Sequence, residues 1–188
     1  MEDKEAHKHL TKWQIEHLNA MRSLEPDLPP SPWNKHTVAS AAGIFAGGWT
    51  YDNQFVMLTS DGYSIHEPIT GTQILFDQDA DVVFSNLSDN SLSFLVPSKN
   101  YEIQVFGVSG GDGVHKVNDW FVKTIYPWWP NSMVVLYRNS LLDKSEVFAL
   151  SLDVCDYGSW IKCGFSPSGT SLAVLGHAGA DFFSIDER

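Results

Sequence analysis

The chain has 188 residues and a formal net charge of -11, with 43% hydrophobic and 19% charged residues. That composition supports a buried core and excludes a disordered chain, while the negative charge disfavours nucleic acid and anionic membrane surfaces as partners. Two cysteines, Cys155 and Cys163, are too few for a disulfide framework. No apolar run reaches membrane-spanning length, and Glu2-Asp3-Lys4 after Met1 is no secretory signal, so the cytoplasm is the expected compartment.

Residues 3 to 24 read as a helix. Ala6, Leu10, Trp13, His17, Met21 and Leu24 recur at helical spacing, with Lys4, Lys8, Lys12 and Glu16 off that stripe. Pro26, Pro29, Pro30 and Pro32 end it and impose an extended connector. The expected organisation is an N-terminal helix over 1–25 that covers a sheet edge or face, a Pro-rich connector over 26–36, and a β domain over 37–188. Thr37 to Ala46 suits a first strand or a short helix, since periodicity alone does not decide; Thr, Val, Ile and Phe between turn residues favour the strand.

Phe55 to Ile74 sets the pattern for the remainder of the chain. An apolar run, Phe55 to Thr59, meets the turn pair Asp61-Gly62; Tyr63 to His66 carries the chain back, and Pro68 to Gly71 turns it again. Similar apolar centres recur near Met57, Ser93, Val134 and Leu172, at intervals of about 36 to 41 residues. Each is followed by a second strand: Tyr63 to His66, Tyr101 to Phe106, Glu146 to Leu150, and Asp181 to Ile185. A period near forty residues carrying several strands predicts an all-β, propeller-like array of about four β-meander units, with a β-sandwich as the alternative.

The last unit, Cys163 to Asp186, resembles a WD-repeat or related propeller blade. In that family a Phe-Ser-Pro-x-Gly turn precedes an apolar strand, and the following strand ends in an acidic residue. The resemblance spans roughly residues 50 to 186. Ile65-His66-Glu67 and Ser184-Ile185-Asp186 stand where a Trp-Asp pair would close a unit. Leu28-Pro-Pro-Ser-Pro-Trp33 and Gly43-Ile-Phe-Ala-Gly-Gly-Trp49, with the Asp-Gly hairpin after them, are also similar to small bacterial proteins, some of them associated with toxin loci as immunity proteins.

Candidate chemistry is sparse. Asp77-x-Asp79-x-Asp81 has the spacing of a calcium loop, but Val82 replaces the turn glycine and Ser88 the bidentate Glu, so a solvated acidic turn is expected and no metal. Gly107-x-x-Gly110-Gly111-x-Gly113 lacks a following helical stripe and reads as a flexible loop between units rather than a phosphate cradle. The seven histidines form no ligand pair outside the helix, no serine sits in a nucleophile elbow, and neither a catalytic residue nor a cofactor is assigned.

Charge distribution carries the functional expectation. From His36 to Ser98 there is no Lys or Arg, while Asp52, Asp61, Glu67, Asp77, Asp79, Asp81 and Asp89 all fall in that window. Such a surface attracts a cationic protein. Trp128 and Trp129, set between Pro127 and Pro130, are candidate anchors, because neighbours along a strand face opposite sides. Together with the resemblance, this implies a non-enzymatic protein-binding module, an immunity inhibitor capping a basic toxin domain. A scaffold subunit docking through the N-terminal helix and a ligand-binding or hydrolytic propeller are the alternatives.

Overall fold

The structure, a computed structural model, describes residues 9–128, 131–139, 146–155 and 160–185. Helix α1 (Lys12–Arg22) leads into β1 (Lys35–Ser40) and the meander β2 (Ile44–Trp49), β3 (Phe55–Thr59), β4 (Gly62–Glu67) and β5 (Thr72–Asp77). Helix α2 (Ala80–Asn86) and the hairpin of β6 (Ser93–Val96) and β7 (Tyr101–Gly107) follow. Next come β8 (Lys116–Val117), β9 (Trp120–Trp128), β10 (Asn131–Arg138) and β11 (Val147–Ala149), then β12 (Lys162–Phe165), β13 (Ser171–Gly176) and β14 (Gly179–Ser184). The protein is thus mainly β, as its alternating and apolar runs predict.

The strands form three antiparallel sheets, ordered β5-β4-β3-β2-β7-β6, β11-β10-β9-β8 and β1-β14-β13-β12. The four predicted centres lie on β3, β6, β10 and β13. Each pairs with its predicted return strand, β4, β7, β11 and β14. Two of these hairpins share one sheet, because Gly48 of β2 pairs with Val105 of β7. Glycine at 48 is what lets that junction form: a Cβ there would collide with Gln104 O of β7.

Side-chain alternation explains how the sheets stack. On β13, Leu172 and Val174 enter a core with Val134 and Leu136 of β10, whereas Ala173 and Leu175 enter a second core with Phe55 and Met57 of β3. On β14, Phe183 joins the first core and Phe182 the second. The sheet holding β13 and β14 is therefore the middle layer, apolar on both faces, which is why both strands are buried at every residue. A third core, with Val56, Leu58, Ile65 and Phe94, lies on the outer face of the six-stranded sheet and is capped by Val83 of α2. Met133, Val135, Val147 and Ala149 form the fourth, beside Leu24 after α1.

Strand β1 completes the middle sheet by pairing along β14, from Lys35 opposite Ser184 to Ser40 opposite Gly179. A buried carboxylate fastens the same region. Asp181 of β14 accepts from His36 Nε2 at 2.8 Å and from the backbone N–H groups of Asp153, Val154 and Cys155 at 2.8, 3.2 and 3.1 Å. Burial pushes its carboxyl up, but His36 and the three N–H donors outweigh that and hold it below the usual carboxylate range. His36 also stacks on Phe183, with ring centroids 4.6 Å apart.

Several expectations need correction. A capping box at Thr11 and Gln14 starts α1 at Lys12, so Leu10 precedes the helix; Ala6 and the rest of 1–8 lie outside the described residues. The stripe is buried only at its end: Met21 is buried, while Trp13 is exposed and stacks on His17. The Pro-rich connector does more than connect, for Trp33 is fully buried against Trp120 and Phe165. Thr37 to Ala46 is divided between β1 and β2, with Ala41 to Gly43 as the turn between them. The glycine-rich segment is no loose loop. Gly111 N–H donates to Val105 O, Phe165 N–H donates to Val114 O, and Gly113 lies so close to Cys163 O that no Cβ fits there.

Candidate partner-binding site

The seven carboxylates are placed by hairpins, and they separate into groups. Thr59 pairs with Gly62, so Ser60 and Asp61 form a two-residue turn at one end of the six-stranded sheet. Tyr63 pairs with Asp77, which brings Asp77 to that same end. Gly62 has φ +150 and its backbone abuts Asp77 and Gln78, locking the turn against the end of β5. The chain then enters α2, where Asp79 is the N-cap: its Oδ1 accepts from Asp81 N–H at 2.9 Å. The expected solvated turn at 77 to 81 is thus partly a helix start, stabilised by Asp79 and by Asp81 in the first turn.

Asp52 and Glu67 sit at the opposite end. Asp52 lies on the β2–β3 loop, and Glu67 ends β4 beside the Phe55 end of β3. The five residues of β3 separate the two ends by roughly 17 Å. Asp52 is not free: it pairs with Lys99 at 2.7 Å and accepts from Tyr101 at 3.2 Å. Partial burial pushes its carboxyl up, but Lys99 and Thr50 prevail and bring it down to about 2. Glu67 accepts from Ile69 N–H at 3.3 Å. Asp89 is exposed on the loop between α2 and β6.

Among the described residues, no ion pair involves Asp61, Glu67, Asp77, Asp79, Asp81 or Asp89. The Asp61, Asp77, Asp79 and Asp81 group also has apolar company that the charge pattern does not single out. Ile74 and Phe76 on β5 and Phe84 on α2 are more than half exposed. β5 is an edge strand of its sheet, so its outer side carries backbone groups with no strand beside them among the described residues. The alternation of β5 was the available signal, since Phe76 faces away from Leu75, which packs on the third core.

The Trp pair resolves in part. β9 continues through Trp128, whose backbone pairs with Asn131, and Trp129 lies outside the described residues. Pro127 O accepts from Arg22 Nε at 2.7 Å, tying that corner to α1. The cysteines are buried and free; burial pushes Cys163 up to about 12 and raises Cys155 as well, so neither is an activated nucleophile. His66 is buried, bonds Ser64 Oγ at 2.9 Å, and is driven by burial down to about 4. No group of three or more His, Cys, Asp or Glu among the described residues is arranged to hold a metal ion, and no described helix is long and apolar enough to cross a membrane. Comparison with protein-family models, curated proteins and solved structures finds no significant match to this chain.

Proposed function

We propose that this protein is a non-enzymatic inhibitor of the immunity type, which caps a basic toxin domain through the β5 and α2 end of the six-stranded sheet. The observation that carries the reading is the company of Asp61, Asp77, Asp79 and Asp81, none of them ion-paired among the described residues, with exposed Phe76 and Phe84. Carboxylates steer a cationic partner and aromatic rings supply the desolvated anchor, the division of labour found at tight protein interfaces. Asp52 contributes less, because Lys99 already neutralises it. Glu67, Asp89 and the Trp128–Trp129 corner are secondary contacts in this reading. The protein works in the cytoplasm, where its two thiols stay reduced.

The fold reading behind it is a propeller-like stack of blades, with β1 supplying the outer strand of the β12–β13–β14 blade. The three-layer order and the N-terminal strand in that sheet support it.

The test is a basic protein encoded beside this chain, first expressed alone for toxicity and then together with it. Co-expression should restore growth. Reversing Asp61, Asp77, Asp79 and Asp81 to Lys should slow association at low salt by about tenfold or more and flatten its salt dependence. An unchanged association rate in a folded variant removes the electrostatic part of the proposal. Failure to relieve toxicity removes the immunity role.

A further inference from the structure

The contact between the six-stranded sheet and the middle sheet ends at Trp49 and Phe106, and beyond them the layers part around a cleft of about 440 Å³. That volume lies within the roughly 300 to 1,000 Å³ usual for small-ligand sites. Trp49 is fixed there by its indole N–H, which donates to Gly164 O at 3.0 Å, and by edge contact with Phe55 at 4.9 Å. Phe165 of β12 forms the opposite wall. Tyr51, mostly exposed, stands at the mouth with its ring 4.8 Å from that of Tyr101.

Two carboxylates border this aromatic hollow, Glu102 from β7 and Asp112 from the glycine-rich segment, and among the described residues no Lys, Arg or His lines it. Lys162 neutralises Asp112 at 2.6 Å, and the ammonium of Lys99 is engaged away from the cleft with Asp52 at 2.7 Å, which leaves Glu102 as the acid to consider. Glu102 has no cationic partner among the described residues; it accepts only from the Ser93 hydroxyl, which fixes the carboxylate in place. A hollow with aromatic walls and an uncompensated acid at its border suits a cation with an apolar stem, since ring faces and carboxylate attract the same charge.

We propose that the cleft between Trp49, Tyr51 and Phe165 binds an alkylguanidinium or alkylammonium group, with its charge on Glu102 and its stem against the rings. The same chemistry occurs in free amines and in the basic side chains of a protein. This site is remote in the chain from the Asp61 to Asp81 surface and does not depend on the function proposed above.

Agmatine, butylamine and the neutral butylurea would be titrated into isotopically labelled full-length protein while the backbone amides of Gln104, Gly113 and Val114 are followed. Saturable shifts there with agmatine or butylamine and none with butylurea are expected. Glu102→Gln should weaken binding about tenfold, the loss typical of one charged contact. Glu25→Gln, at an exposed position after α1, should leave it unchanged, and both variants should keep the parent melting temperature. Tighter binding of the blocked tripeptide Gly-Arg-Gly than of agmatine assigns the ligand to a protein side chain; the reverse assigns it to a free amine. Equal binding of butylurea, shifts centred on Asp61 and Asp77, or no saturation with any cation overturns the proposal.

Discussion

Replacing Asp181 by Ala tests how the middle sheet is held. The carboxylate has no exposed surface and accepts four hydrogen bonds, one from His36 and three from successive backbone N–H groups at 153 to 155. Removing it strands three backbone donors that are worth about 1 to 3 kcal/mol each when left unpaired. Allowing for relaxation of the 153–155 segment, the expected loss is about 3 to 5 kcal/mol, comparable to breaking a buried ion pair. For a domain of this size that lowers Tm by roughly 8 to 15 °C. Urea titration and calorimetry of the parent, Asp181→Ala and Asp181→Asn measure it, with Asn intermediate because its amide oxygen still accepts. The sign with pH follows from the lowered carboxyl. Its contribution is complete above the unfolded value near 3.9 and is lost as pH falls through the folded value, so the gap between parent and Asp181→Asn narrows in strong acid. A loss below about 1 kcal/mol, or a gap that stays constant down to the acid transition, would refute this account of the carboxylate.

The buried His66 should destabilise the fold in mild acid. Its folded value near 4 lies below the ordinary 6.5, so the unfolded chain takes up a proton first and stability declines from about pH 6.5 to 4 by roughly 3 kcal/mol; His66→Gln should flatten that limb in pH-dependent urea titrations. Gly113→Ala should cost about 1 to 3 kcal/mol, because its Cβ meets Cys163 O. Gly111→Ala is the control, for its Cβ would find only ordinary contacts at 3.5 Å or beyond, and equal melting temperatures for the two variants would count against the packing argument. Trp33→Ala should lose about 3 to 5 kcal/mol by thermal melt, the usual cost of emptying a large buried aromatic site. Both thiols should react with a disulfide reagent only on unfolding, a burst of native-state reaction being the contrary result.

The local hairpins were legible because their signals are local. A two-residue turn before Gly62, the Ser-Pro-Ser-Gly turn between β12 and β13, and apolar runs at Met57 and Leu172 all act within ten residues. What joins hairpins into sheets was not legible. Gly48 pairing with Val105, and Lys35 with Ser184, are set by three-dimensional packing and leave no periodic mark. Helix α2 was missed because its seven residues bury only Val83, too little for a stripe, although Asp79 before Ala80 was a readable cap. The acidic window marked chemistry without geometry. Composition located the carboxylates between His36 and Ser98, but only strand direction reveals that Asp52 and Asp61 stand at opposite ends of β3.

The pairing of β1 with β14 has a consequence for biosynthesis. His36 and its carboxylate partner are 145 positions apart, so at about 5 to 20 residues per second the earliest strand leaves the ribosome roughly 7 to 30 s ahead of its neighbour. Throughout that interval the segment holding Val38 and Ala39 has no ladder to join, and the nascent chain carries an open edge that invites foreign strands. Its safe maturation rests on how soon β14 arrives.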